Sequence, residues 1–177
     1  MAGIAVGCCL SVAVALSVWN LAVTKWRLAR NPAPGNYYTV DGRRMYIYCA
    51  GTGSPAIVVE SGLSSDSLGW YGVQRELATS TRVCAYDRSG LGLSEPRSRP
   101  RDAETIARQL HELLNQAGVR RPFVPAGWSA GGLYVREYAR QFPNAIAGMV
   151  LIESSAPRQL DELPGFRASY EADKRDT

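Results

Sequence analysis

Histidine is the residue this sequence nearly does without. Among 177 residues there is one, His111, with four cysteines and no C-x-x-C pair. A protein-bound metal needs several imidazole or thiolate ligands at short spacing, so no metal site and no cofactor are expected. Charge of one sign is also scarce. The net charge is +4, and Arg43, Arg44, Arg82, Arg97, Arg99 and Arg101 are spread without aromatic residues between them in one dense run. That pattern is a solvated surface and excludes a nucleic-acid footprint. Internal repeats and low-complexity tracts are missing too. What remains is 46% hydrophobic and 20% charged, a globular composition with an added apolar segment, long enough for one domain.

That segment is defined by another absence: residues 2–24 contain no Asp, Glu, Lys or Arg. At about 1.5 Å per helical residue they span a hydrocarbon core of roughly 30 Å. Trp19 and Trp26 flank the far end, where indoles settle at a membrane interface, and Lys25, Arg27 and Arg30 follow. A cleaved leader has a basic start and a shorter apolar core, so the run reads as an uncleaved single-pass anchor with the bilayer as partner. The positive flank leaves the remainder in the cytoplasm by the positive-inside rule; an N-terminal anchor on an exported domain is the competing arrangement. Cys8 and Cys9 within the run are small lipid-facing residues or acylation sites. Residues 25–36, with Pro32, Pro34 and Gly35, form a linker.

From residue 37 the patterning alternates. Residues 37–40 and 43–49 read as strands around an Asp41-Gly42 hairpin turn. A short buried strand at 56–60 leads to Ser61-Gly62-Leu63-Ser64 and a helical stretch at 70–77. A strand at 82–86 ends in Asp87-Arg88-Ser89-Gly90-Leu91-Gly92. An amphipathic helix at 103–117 places Ile106, Leu110, Leu113, Leu114 and Ala117 on one face, and Gly118 stops it. A strand at 122–126, a helix at 131–142 ended by Pro143, and a strand at 147–152 follow. A hairpin followed by strand–helix alternation predicts an α/β fold, a largely parallel sheet with helices on both faces. Sites in such sheets form at the carboxyl ends of the strands. Pro125 lies inside the 122–126 strand, where a central strand wants its ladder N–H.

Between that strand and the next helix stands Gly127-Trp128-Ser129-Ala130-Gly131-Gly132. This is G-x-S-x-G in a strand–turn–helix context, the setting of a nucleophile elbow. Gly127 and Gly131 let strand and helix approach, and the helix N-terminus favours negative charge beside the hydroxyl. The bland alternative is a glycine-rich loop with Ser129 as an N-cap.

Taken together, V-D-G-R-R-M-Y-I-Y-C, V-V-E-S-G-L-S, A-Y-D-R-S-G-L-G-L-S, G-W-S-A-G-G-L-Y and M-V-L-I-E-S-S, in this order, resemble the α/β-hydrolase superfamily from about residue 34 to 157. The resemblance implies Ser129 as nucleophile, with the Ala130 N–H and an N–H of the third-strand loop, assigned to Leu63, as oxyanion hole. Many relatives begin that loop with His-Gly; here it is Ser61-Gly62, which leaves the backbone donor intact. A serine where dehalogenase and epoxide-hydrolase relatives carry aspartate implies ester chemistry on a small-molecule ester or acyl substrate. Family order then places an acid and a histidine after later strands, and neither position exists in these residues. His111 lies on a helix leading away from the rim and reads as structural. Glu153 is a candidate relocated acid, and Asp87 reads as a loop-fixing carboxylate. The expectation is therefore a truncated serine hydrolase, with residues 37–157 as the N-terminal part of its domain and 158–177 as a polar tail or the start of a cap. A non-catalytic binding protein, or a serine-dependent acyltransferase or perhydrolase, are the alternatives. Cys49 and Cys84 fall on strands that neighbour each other in this family's sheet, and form a disulfide in an oxidising compartment or two buried thiols.

Overall fold

The computed structural model describes residues 14–20, 22–23, 33–96 and 102–159. It divides into two units, residues 1–34 and 35–177. In the first unit, residues 14–20 are helical and exposed. Among the described residues no helix is long and apolar enough to cross a membrane. Most of the expected 2–24 anchor, most of the 25–36 linker and nearly all of the 158–177 tail lie outside the described residues.

The second unit opens with β1 (Asn36–Val40) and β2 (Arg43–Ala50). The turn between them has Asp41 at φ 51° and Gly42 at φ 73°, the two positive angles that a two-residue hairpin requires. Then come β3 (Ile57–Glu60), a 3-10 turn (Ser67–Trp70) continuing into α1 (Tyr71–Leu77), and β4 (Val83–Tyr86). After these follow α2 (Ala103–Gln116), β5 (Val124–Trp128), α3 (Gly131–Gln141) and β6 (Val150–Ile152). Asp102 starts α2 by accepting from the Thr105 N–H at 2.7 Å, an N-cap that offsets one orphan donor.

The strands form one sheet in the order β1-β2-β4-β3-β5-β6. β2 runs antiparallel to β4, and the β4–β3, β3–β5 and β5–β6 pairs are parallel. One face packs Val58, Cys84 and Tyr86 under Leu110, Leu113 and Leu114 of α2 and Tyr138 of α3. The other packs Val59, Val83 and Ala85 against Trp70. Helices on both faces of a mostly parallel sheet are what the alternation predicts.

Several element ends shift by one to three residues from the sequence reading, and Pro125 explains the largest shift, at the start of β6. β5 runs to Trp128, two residues past the expected end, so the strand continues up to the elbow. β6 begins at Val150 instead of 147. Val124 N–H donates to Ala56 on the β3 side, whereas Phe123 and Ser129 donate to Ala145 and Ile152 on the β6 side. By alternation the Pro125 nitrogen faces β6, where it has no hydrogen to give. The ladder is accordingly interrupted there: Phe123 and Ile146 form an isolated bridge, and regular pairing resumes at Ala126 with Val150.

Cys49 and Cys84 stand directly opposite each other in the β2–β4 register. They are joined by a disulfide, with Cα atoms 4.0 Å apart. Of the two readings open from sequence, the bridged one is found.

Candidate active site

The connection from β3 to β4 goes one way along the sheet, and the return to β5 passes back over β3. The carboxyl ends of β3 and β5 therefore sit side by side at a switch in strand order, the place where α/β sheets open a crevice. Glu60 pairs with Gly127 across this boundary, so the loops after both strands meet.

Ser129 follows β5 with φ 52°. A non-glycine residue adopts this left-handed conformation at a cost of about 1–2 kcal/mol, and here it turns the chain from strand to helix within one residue. The close approach requires the flanking glycines. A Cβ on Gly127 would lie 2.7 Å from the Gly131 carbonyl oxygen, and one on Gly131 would strike the carbonyls of Glu60 and Ser61. α3 thus begins against the end of β3. Ser129 is half-buried, its N–H donates to Ile152 at 3.0 Å, and its carbonyl accepts from Gly132 and Ser155. The Ser129 hydroxyl, the Ala130 N–H and the Leu63 N–H have no partner among the described residues. The Leu63 side chain is 70% exposed, so only its backbone belongs to the site. Gly62 lies against the elbow: a Cβ there would be 3.4 Å from Ser129 Cβ and 3.0 Å from the Trp128 ring.

The loop after β3 is held by a buried cluster that sequence reasoning did not identify. Arg88, 6% exposed, donates to the carbonyls of Ser61 at 2.6 Å and Leu63 at 3.0 Å, and also to Gly62. It pairs with Glu60, which is 1% exposed and accepts a further bond from the Tyr86 hydroxyl. The guanidinium lies over the Tyr134 ring, 5.0 Å from its centroid. Burial lifts the Glu60 carboxyl above its ordinary value, opposed by the Arg88 charge and by hydrogen bonds from Tyr86 and Arg88. Burial disfavours the charged Arg88, but Glu60 and Tyr86 outweigh it and keep its pKa above the usual arginine value. The Tyr86 phenol is pushed well up, first by burial and then by Glu60. The sequence signal was present: a lone carboxylate closing the apolar run Ile57–Glu60, and an arginine two residues beyond the next apolar run.

Asp87 occupies the role expected of it. Its carboxylate accepts from the backbone of Ser67 at 2.7 Å and Leu93 at 2.8 Å, while its carbonyl accepts from Ser94 Oγ at 2.7 Å. Its partners are backbone N–H groups, not Arg88. Ser61, standing where many relatives have histidine, accepts from the Trp70 indole at 3.0 Å and donates to the Asp66 carbonyl at 3.0 Å. This fixes Trp70 as one wall of a cavity of about 570 Å³ whose other walls include Val73, Trp128 and Ile152, with Asp66 and Ser65 as polar lining.

His111 lies apart from these groups. Its Nδ1 is 3.0 Å from the Tyr138 hydroxyl and its Nε2 is 3.1 Å from an Arg121 nitrogen. Its ring stacks on Phe142 at 3.7 Å between centroids. Since Arg121 can only donate, Nε2 accepts and the proton sits on Nδ1. Burial, then the Arg121 charge, lower its pKa from 6.5. Glu153 follows β6 at φ 42° with an exposed side chain, on the strand adjoining Ser129. The structure thus brings Ser129, Ala130, Gly127 and Gly131 together, seats the loop that carries Leu63 against Ser129 through Gly62, sets Glu153 on the neighbouring strand end, and leaves His111 in the packing between α2 and α3.

Residues 55–176 match the protein family described as alpha/beta hydrolase fold. A curated relative from Gibberella zeae, an AB hydrolase superfamily protein, is 34% identical over 113 residues, covering 62% of this chain and 35% of its own length. Among solved structures, an esterase from Thermogutta terrifontis is 25% identical with TM-score 0.63, covering 73% of this chain and 50% of that one. An epoxide hydrolase is likewise 25% identical with TM-score 0.63, covering 68% and 42%. The chain spans roughly a third of the length of the curated relatives it matches first, 35% and 39% for two of them.

Proposed function

From the premise that this chain belongs to the α/β-hydrolase fold family, we propose that it carries the nucleophile half of a serine hydrolase acting on carboxylic esters. The observation that supports this most is Ser129 in a left-handed turn, followed by the Ala130 N–H and abutted through Gly62 by the loop that carries the Leu63 N–H, neither N–H having a partner among the described residues. In the proposed reaction Ser129 Oγ adds to the ester carbonyl carbon and its proton passes to an imidazole. The carbonyl oxygen, now negative, is met by the two N–H groups. Collapse breaks the carbon–oxygen bond to the alcohol, which leaves with that proton. Water, deprotonated by the same imidazole, then adds to the acyl carbon; the bond from that carbon to Ser129 Oγ breaks, the acid leaves, and Oγ takes the proton back from the imidazole. The cavity between Trp70 and Trp128 would take the apolar part of the ester.

The imidazole is not His111, whose two ring nitrogens are engaged by Tyr138 and Arg121 and whose ring stacks on Phe142. It would come from outside these 177 residues, with Glu153 as a candidate for the acid that orients it. The cavity walled by Trp70, Val73, Trp128 and Ile152 also suits a second reading, a non-catalytic binder on the same scaffold. Residues 2–24 are proposed, on their uncharged sequence, as a membrane anchor. The disulfide favours an arrangement with the second unit on an oxidising side, and resistance of the protein to alkaline extraction from membranes tests the anchor.

The test of the reaction is labelling with a fluorophosphonate, with and without added imidazole as a diffusible base. Labelling that imidazole accelerates, and that Ser129→Ala and denaturation abolish, is the expected result. No Ser129-dependent labelling of folded protein under either condition would overturn the catalytic reading in favour of the binder.

A further inference from the structure

The Glu60–Arg88 pair is costly where it stands. Both side chains are almost completely buried, at 1% and 7% exposure, and desolvating two charges offsets most of what their attraction returns. Its geometry points to another use. Arg88 donates to three consecutive carbonyls, those of Ser61, Gly62 and Leu63. In a planar trans peptide the C=O and the N–H point in opposite directions. Holding the Gly62 oxygen therefore fixes the direction of the Leu63 N–H, and holding the Ser61 oxygen fixes that of Gly62. This is the loop that abuts Ser129 through Gly62. The fan of acceptors suits a guanidinium with five coplanar N–H donors, and does not suit an ammonium, which presents three from one point. Glu60, held in turn by the Tyr86 hydroxyl, neutralises and orients the guanidinium, and Tyr134 on α3 supports it.

We propose that Arg88 is a positioning residue that aims the Leu63 N–H at the oxygen where negative charge develops beside Ser129. The inference rests on reading Ser129 as the nucleophile. It assigns Arg88 no contact with substrate.

The test avoids any need for a catalytic base. In a Ser129→Cys background the introduced thiol ionises on its own at roughly pH 8.5. With p-nitrophenyl acetate the thiolate adds to the carbonyl and expels nitrophenolate through an oxyanion. With iodoacetamide it displaces iodide at a saturated carbon and forms none. The ratio of the two rates, read by mass spectrometry on the peptide containing residue 129, reports the oxyanion donors, with N-acetylcysteine as reference. The expected result is a ratio well above the reference that falls about 10²-fold in Arg88→Lys, the scale of losing one such donor, with alkylation unchanged. If Arg88→Lys does not fold, Glu60→Gln with Arg88→Met removes both charges together and carries the same measurement. An elevated ratio that both variants preserve would overturn the role of Arg88 while leaving the Ser129 reading intact. A parent ratio equal to N-acetylcysteine would overturn both.

Discussion

Replacing Ser129 by glycine should abolish labelling and make the protein more stable. Ser129 sits at φ 52°, and the left-handed region costs an L-residue about 1–2 kcal/mol. Glycine removes that cost but adds freedom to the unfolded chain, worth about 0.4–1 kcal/mol against it. The hydroxyl has no partner among the described residues, so its loss subtracts little. The expected balance is a gain of about 0.5–1 kcal/mol, or about 1–4 °C in Tm for a unit of this size. Ser129→Ala keeps the Cβ and so keeps the strain; it should lose labelling without the gain. Thermal denaturation of the two variants and the parent, with fluorophosphonate labelling of the same samples, makes the comparison. A glycine variant no more stable than the alanine variant would refute the argument that the elbow stores strain for function.

The other predictions concern the surroundings. Gly131→Ala would press a methyl against the Glu60 and Ser61 carbonyls, a backbone clash worth about 1–3 kcal/mol; Gly72→Ala in α1 meets nothing within 4 Å and should stabilise by about 0.5–1 kcal/mol, urea titration separating the two. Reducing the Cys49–Cys84 bridge, whose ends are 35 residues apart, should cost about 3–4 kcal/mol on the chain-entropy account, read as a lower urea midpoint. His111 has a folded pKa below its ordinary 6.5. The unfolded chain therefore binds its proton first, and stability present above pH 6.5 is lost as pH falls below that value. Stability measured from pH 7 downward should decline more steeply in the parent than in His111→Gln.

Much of this was legible because it is local. The Asp41-Gly42 turn, the Gly118 stop and the apolar stripe of α2 each depend on residues within a few positions of one another. Glycines at 127 and 131 around Ser129 announced the elbow for the same reason. The Arg88 cluster was not legible, although both its charged members stand out at the ends of apolar runs. Glu60 and Arg88 are separated by a full crossover, and only the adjacency of β3 and β4 shows that they share one buried space. Reading Asp87 as a loop-fixing carboxylate was correct, but its partners, Ser67 and Leu93, follow from how the two loops fold over each other. The pairing of His111 with Tyr138 likewise depends on α2 lying beside α3. Pro125 marks a local irregularity in a central strand on sequence alone, and alternation adds which side carries it, with its nitrogen turned toward the interrupted start of β6.

β4 has a consequence for how the molecule comes apart. It is bonded covalently to β2 through Cys84, paired along its length with β2 and β3, and followed at once by the arginine that holds the β3 loop. β6 is three residues long and exposed on Val150, Leu151 and Ile152. Opening should therefore begin at β6 and reach β4 last. Amide protons of Val83–Tyr86 would exchange with solvent only when the whole sheet is lost, while those of Val150–Ile152 leave in smaller fluctuations. The wall of the crevice formed by Ile152 would then be its yielding side, and the loop carrying Leu63 its fixed one.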